Sequence, residues 1–335
     1  MKNRPTIKDI ARRAGISKST VSRVIAGDGQ SVSAEARKKV MDAIQELGYV
    51  RNVVASSMRT SQTQTVLLAI PDITNPFWPE VARGVQDEMA TEDYAVVFAN
   101  SDWNPRREQR NLELAQRNRF DGVLINPVGV SNDLLRKLGI PVVLLGIVSG
   151  FDFDMVGTNS QAGAETALRY LVSLGHTRIG LILGQREGRA DTQRLPLYMQ
   201  LLDQLGLEKN EEHITVVPFK KEEGQAAMGR ILSTENPPSA VFCENDILAL
   251  GALQAARECG VRVPADVSVI GMDNIDASAT TSPPLTTISK PKYEIGRQAA
   301  RFLLERLRDD TCGAPRSMSI SSNLVVRETT AVWQT

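Results

Sequence analysis

The side chains best suited to chemistry in this sequence lie just beyond its apolar runs. Asn75, Phe77 and Trp78 follow VLLAI, Phe219 follows ITVVP, Asn245 follows AVFC, and Asp273 closes VSVIGM; the loop after RIGLILG leads to Arg194. Aromatic faces stack on a sugar ring or a base, and Arg, Asn and Asp bond polar groups. The chemistry is recognition of a small polar molecule. Each candidate has a structural competitor. Phe77, Trp78 and Phe219 serve equally well as core, and Asp246 reads as the N-cap of the next helix rather than as a contact. Arg194 and Asp273 are the firmest, because buried charges need partners and a polar ligand can supply them.

A second set of reactive surfaces is cationic. Residues 1–60 hold twelve basic and five acidic side chains, a net +7, while the whole chain balances 39 against 39, so the remainder carries −7. A basic head on an acidic body is the electrostatic footprint of a nucleic-acid-binding module joined to something else. Ile7, Ile10, Ala11 and Ala14 form one stripe of a short helix. Thr6 with Asp9 can cap it, and Gly15 can supply the left-handed residue that ends it. Ser17 offers a second N-cap, and Val21, Val24 and Ile25 a second buried stripe; a third helix starts at Ser33, buries Val40, Ile44 and Leu47, and stops at Gly48. So short a turn between the first two helices is a helix-turn-helix. Its second helix enters the major groove and offers Lys18 and Ser19, then Arg23 one turn on, to base edges. Lys18 and Arg23 are equally able to hold phosphate, which positions without specifying.

Other function classes find little support. There is no G-x-G-x-x-G, no Walker loop, no G-x-S-x-G elbow and no histidine near a nucleophile, so an enzyme is not expected. The loop from Gly184 to Gly188 reads as a surface turn. His176 and His213 lie far apart, and nothing calls for a metal or another cofactor. Three unpatterned cysteines, Cys243, Cys259 and Cys312, fit a reducing cytoplasm. No apolar run approaches ~18 residues, and the basic N-terminus never becomes apolar, so neither a membrane span nor a secretory signal is expected.

The elements that must position these groups alternate. VLLAI, AVVFAN, GVLIN, PVVLLGI, RIGLILG, ITVVPF, AVFCEN and VSVIGMD read as strands, NLVVRET as the last one, and 105–118, 161–174, 224–233 and 247–258 as helices. Continuous apolar strands between helices mean parallel sheets covered on both faces, and this many strands make two. Ligands then sit at the carboxyl ends of the strands, in the cleft between sheets. NVVASSMR, residues 52–59, is too short for a lone helix, which needs ~12–15 residues in water. By itself it is a linker.

The stretch TIKDIARRAGISKSTVSRVIAGDGQSVSAEARKKVMDAIQELGYVRN resembles the headpiece of the LacI/GalR family of bacterial transcription regulators. The resemblance continues through NVVASSMRTSQTQTVLLAIPDITNPFWPEVARGV, DGVLINPV, LGHTRIGLILG, SAVFCENDILALGAL, DVSVIGMDN and SPPLTTISKP, covering nearly the whole chain. It implies an α-helical helix-turn-helix headpiece over 1–50, a hinge over 51–64, and over 65–335 an α/β body of two subdomains like periplasmic sugar-binding proteins. The N-subdomain would take about 65–158 and 290–320, and the C-subdomain about 159–289 and 321–335, with crossovers near Thr158, Ser289 and Ile320.

The resemblance also assigns roles. Thr6, Ser17, Lys18, Ser19, Thr20, Ser22 and Arg23 would face DNA, joined by Asn52, Val54, Ala55, Met58 and Arg59 of a hinge that folds on the duplex. Val54 would pack on the partner hinge, and Met58 stands where the family carries a leucine wedge that unstacks a base step. Asn75, Phe77, Trp78, Thr158, Arg194, Phe219, Asn245 and Asp273 would line the effector cleft. Gly146-Ile147 and Thr158 depart from the family, where Asp-Arg and Asp are frequent, which puts a typical hexose in doubt. The expected protein is a cytoplasmic, ligand-responsive repressor. It would bind a pseudo-palindromic operator as a homodimer and answer to a small metabolite, a sugar or sugar derivative first. The alternative is a solute-binding protein without a regulatory role.

Overall fold

The computed structural model describes residues 5–25, 32–49, 62–185, 191–308 and 313–334; the side chains of 191–194 are outside it. The chain divides into two compact units, Met1–Thr63 and Gln64–Thr335.

The described residues of the first unit form three helices, α1 (Ile7–Ala14), α2 (Lys18–Ile25) and α3 (Ala34–Leu47). Thr6 donates to Asp9 Oδ2 from its N–H at 2.9 Å and from its hydroxyl at 2.7 Å, fastening the start of α1. Gly15 sits at φ 65°, the left-handed residue that turns the chain toward α2. The hydroxyl of Ser17 accepts the Thr20 N–H at 3.2 Å, and that of Ser33 the Ala36 N–H at 3.2 Å. Ile10, Val21, Val24, Val40 and Ala43 are buried together. Ala43 takes the place the helical period gave to Ile44 and Leu47, which pack only partly buried at the edge of this cluster. Ile10, Val21 and Val40 are fully buried and fill most of the small volume between the helices, so α3 places the small Ala43 beside them and keeps Ile44 and Leu47 at the rim.

The second unit holds two six-stranded sheets. The first is built from β1 (Thr65–Ile70), β2 (Ala95–Asn100), β3 (Gly122–Ile125), β4 (Val142–Leu145), β5 (Asp154–Gly157) and β11 (Ser317–Ser319), in the order β11-β5-β4-β3-β1-β2. The second is built from β6 (Ile179–Gly184), β7 (Ile214–Val217), β8 (Ala240–Cys243), β9 (Ser268–Asp273), β10 (Thr286–Ser289) and β12 (Asn323–Val325), in the order β12-β10-β9-β8-β6-β7. The chain changes sheet after β5, after β10 and after β11. All pairs are parallel except β10 with β12, which is antiparallel. That edge departs from the all-parallel expectation, and the last strand is the three residues NLV rather than NLVVRET.

Helices cover every face. On the first sheet, α4 (Phe77–Ala90) and α12 (Lys292–Arg308) pack on one side, and α5 (Pro105–Arg117) with α6 (Asn132–Arg136) on the other. On the second, α7 (Ser160–Ser173) and α8 (Asp191–Gln204) cover one side, α9 (Lys221–Leu232) and α10 (Asp246–Glu258) the other, and the short α11 (Asp276–Thr280) follows β9. The α4–α12 contact is backbone on backbone. A Cβ at Gly84 would stand 2.0 Å from the Tyr293 oxygen, and one at Gly296 1.9 Å from the Val81 oxygen. Among the described residues no helix is long and apolar enough to cross a membrane.

Candidate functional sites

In the first unit, the buried stripe of α2 leaves its other faces to solvent. Val21 is fully buried and Val24 nearly so, which fixes the roll of the helix. Lys18, Ser19 and Arg23 are therefore exposed, as are Thr6 and Ser17, while Thr20 and Ser22 are half-buried. Ser17 Oγ lies 2.9 Å from Ser19 Oγ and 2.8 Å from Thr20 Oγ1, so three hydroxyls cluster at the N-terminal end of α2, where donors and acceptors can meet phosphate or base edges. Asn52, Val54, Ala55, Met58 and Arg59 lie outside the described residues.

In the second unit, a cavity of about 500 Å³ opens where the carboxyl ends of both sheets meet. The first sheet contributes Asn75 after β1, Trp103 after β2, Asn126 after β3, Gly146 after β4 and Thr158 after β5. The second contributes Phe219 after β7, Glu244 and Asn245 after β8, Asp273 at the end of β9 and Lys290 after β10. Strand ends bring main-chain groups and loop side chains together along one edge, so a ligand placed there meets both sheets at once. Seven of the eight residues expected to line a cleft do so; Arg194 falls in the first turn of α8, with its side chain outside the described set.

Several of these residues hold the fold as well. Asn75 Oδ1 accepts the Phe77 N–H at 3.0 Å at the head of α4. Phe77 and Trp78 meet edge to face at 5.0 Å, and Trp78 also belongs to the core of the first sheet. Asn245, not Asp246, caps α10, its Oδ1 accepting the Leu248 N–H at 2.9 Å. Asp246 is the first residue inside that helix. Gly146 has φ 120°, a conformation closed to most side chains, so an Asp at this position would strain the chain.

Asp273 has its partner within the chain. Lys290 Nζ donates to Asp273 Oδ1 at 2.9 Å, with both side chains largely buried. The same ammonium stands 5.6 Å from the centre of the Phe77 ring. Two residues on, buried Lys292 donates to the main-chain oxygens of Asp273 at 3.2 Å and Asn274 at 2.6 Å, and pairs with Glu80 of α4 at 3.3 Å. One strand end of the second sheet is thereby tied to a helix of the first through the crossover after β10. Lys290, Glu244 and Trp103 were not among the residues chosen from sequence. Glu244 follows AVFC directly, so the strand-end criterion reaches it; its Oε2 accepts the Gly184 N–H at 2.8 Å.

Beneath Asp273 lies a second, fully buried carboxyl. Asp246 accepts the Ile275 N–H at 2.9 Å and the Thr287 hydroxyl at 2.6 Å. Burial first, and then the neighbouring Asp273 charge, push its pKa up to about 7. The folded chain therefore holds a proton that the unfolded chain releases near 3.8. This group favours folding most below that value, and its contribution is lost as pH rises to about 7. At ~1.4 kcal/mol per unit the change is on the order of 4 kcal/mol. Urea titrations between pH 4.5 and 8 are expected to show wild type losing stability relative to Asp246→Asn as pH rises. Parallel pH dependence in the two proteins would contradict the assignment.

With both sites in place, the chain can be compared with known proteins. Residues 6–52 match the model of bacterial regulatory proteins of the lacI family, and residues 168–330 that of the periplasmic binding protein-like domain. The HTH-type transcriptional repressor CytR of Escherichia coli (strain K12) is 34% identical over 329 residues, spanning 97% of this chain and 96% of that protein. The structure of the Lac repressor dimer bound to operator and the anti-inducer ONPF matches with a TM-score of 0.87 at 25% identity, over 98% of this chain and all of that one (100%). The complex of the transcriptional regulator CelR with cellobiose matches at 0.72 and 30% identity, over 97% of this chain and 100% of that one. The chain is thus a helix-turn-helix head on a periplasmic-binding-protein-like body. It belongs to the lacI family of bacterial regulatory proteins.

Proposed function

We propose that this chain is a ligand-responsive transcriptional repressor whose affinity for an operator is set by a small molecule in the cavity. One observation carries the reading: a single chain joins an exposed, hydroxyl- and cation-bearing α2 to a cavity at the strand ends of both sheets. A ligand spanning two sheets biases their relative arrangement through its differential affinity for the alternatives, and that bias is what a DNA-binding head can read. A solute-binding protein has no use for the head. The relatives are transcriptional repressors, in keeping with a protein that performs no catalysis.

In this reading residues 1–50 bind DNA, 51–64 form the hinge, and 65–335 bind effector and dimerise. The N-subdomain takes about 65–158 and 290–320, and the C-subdomain about 159–289 and 321–335. Thr6, Ser17, Lys18, Ser19, Thr20, Ser22 and Arg23 meet the major groove and its phosphates. Asn52, Val54, Ala55, Met58 and Arg59 fold against the minor groove, with Met58 as the apolar wedge. Asn75, Phe77, Trp78, Thr158, Arg194, Phe219, Asn245 and Asp273 surround the effector. A sugar or sugar derivative is the first class to try, since a structural neighbour holds cellobiose. Duplex DNA as partner supports a cytoplasmic location. A homodimer follows because one head reads few base pairs, and a two-fold pair demands a pseudo-palindromic site.

Selection from a random duplex pool tests this reading. A pseudo-palindrome is expected, and alanine at Lys18, Ser19 and Arg23 should then separate their roles. A base reader loses ~1–3 kcal/mol at one operator position, while a phosphate contact weakens all sequences alike and lowers the salt slope by about one. Enrichment of no sequence would contradict the proposal.

A further inference from the structure

Phe219 is the aromatic platform expected to receive a ligand ring, yet an indole already lies on it. The rings of Trp103 and Phe219 are stacked, 5.0 Å between centroids and 25° between planes. Trp103 follows β2 of the first sheet and Phe219 follows β7 of the second, so the stack spans the two halves of the cavity. The indole is packed against the core cluster of the second sheet, although its backbone belongs to the first.

The surroundings hold both rings in place. A Cβ on Gly184 would lie 1.9, 2.0 and 2.3 Å from Phe219 Cζ, Cε1 and Cε2, so the ring rests directly on the strand backbone and no side chain fits between. Asp102 and Trp103 both occupy left-handed backbone, φ 51° and 57°, a conformation a bulky residue adopts only when something holds it there. Asp102 takes the Asn100 amide and the Arg107 guanidinium, both from the first-sheet side, which pins the loop and aims the indole across the cavity. Phe219 is buried, whereas Trp103 is only half-buried. The indole is the more exposed of the two rings.

We propose that Trp103 is a latch occupying the effector's stacking position on Phe219, and that the effector is a molecule with a flat apolar ring face that displaces it. Because the indole is carried by the loop after β2 of the first sheet, its displacement releases one tie between the sheets, and binding is thereby converted into a change of cleft geometry. The inference rests on the cavity being the effector site, and it adds a specificity rule. Acyclic molecules cannot replace the indole, while an aromatic heterocycle or the apolar C–H face of a pyranose can.

The test uses the full chain and two probes, indole and methyl β-D-glucopyranoside, titrated calorimetrically. If the latch is shut about nine-tenths of the time, Trp103→Ala binds one of the probes about tenfold more tightly than wild type. Trp103→Leu, which keeps apolar volume without a flat face, should gain at least about threefold by the same relation and serves if the alanine variant does not fold. Adding Phe219→Leu to either variant should abolish the gain. Operator affinity of Trp103→Ala should differ from that of wild type and stay changed when the probe is bound, because a free ring refills the space without rejoining the sheets. No gain with either probe, a gain that survives Phe219→Leu, or restoration of wild-type operator affinity by indole would overturn the latch. Failure of every variant and of wild type to bind a selected operator would instead refute the repressor reading, leaving the probe affinities to decide the latch.

Discussion

Val21→Asp is expected to abolish specific operator binding while leaving the body able to bind its ligand. Val21 is fully buried among Ile10, Val24, Val40 and Ala43, the buried core of the three helices among the described residues. A unit this small has only a few kcal/mol of stability to lose. An ionised carboxylate with no partner in that core costs at least as much, so the head unfolds rather than bury it. Operator affinity should fall by two orders of magnitude or more, to the level of non-specific binding. Thermal melting of the body, Gln64–Thr335, should be unchanged, since the two units are separately compact. Specific binding retained by Val21→Asp would mean that α2 is not seated as described.

Asp273→Ala should have the second-largest effect, and it divides into two parts. Removing the carboxylate leaves the ammonium of Lys290 largely buried without its partner. Breaking such a pair from one side costs about 3–5 kcal/mol. The cavity also loses its acceptor at the end of β9, so the response of operator binding to effector should vanish. The double variant Asp273→Ala with Lys290→Met separates these effects. Taking away both charges should recover most of the stability, since apolar replacement of a buried pair is often neutral or better. The response should stay lost. Calorimetric melting reads the first part and operator titration with effector the second. A double variant that regains the response would reduce Asp273 to a structural partner of Lys290.

These two positions also show what sequence reading reaches and where it stops. Val21 was legible because three helices with short turns leave a fixed period of apolar residues, and Gly15, Ser17 and Ser33 mark where the helices end and begin. Strand-end placement found Asn75, Phe219, Asn245 and Asp273 for a similar reason, whereas Thr158, after a strand that shows no apolar run, came only from the family resemblance. In a parallel sheet the position after an apolar run is itself a location in space. The partner of Asp273 was not legible, because Lys290 lies 17 residues away in a polar stretch that resembles surface, and only the crossover after β10 folds it back. Trp103 was missed on the same grounds. Nothing local in SDWNP says that its ring crosses to the other sheet. β5 escaped because it begins with Asp154, a residue that strands avoid, buried here between Arg306 at 2.8 Å and Arg316 at 2.7 Å. β10 and β11 are short and rich in Thr and Ser, so neither shows an apolar run.

The central claim is that filling the cavity and gripping the operator share one free energy. It is tested most directly by taking a metabolite that raises the melting temperature of the body and measuring four affinities on the full chain. These are operator affinity with and without the metabolite, and metabolite affinity with and without operator. Linkage requires both to change by one common factor, typically 5–150-fold for coupling of ~1–3 kcal/mol. The account predicts that equality, whichever direction the change takes. A metabolite that occupies the cavity, lost on Asp273→Ala, yet leaves operator affinity untouched would contradict it.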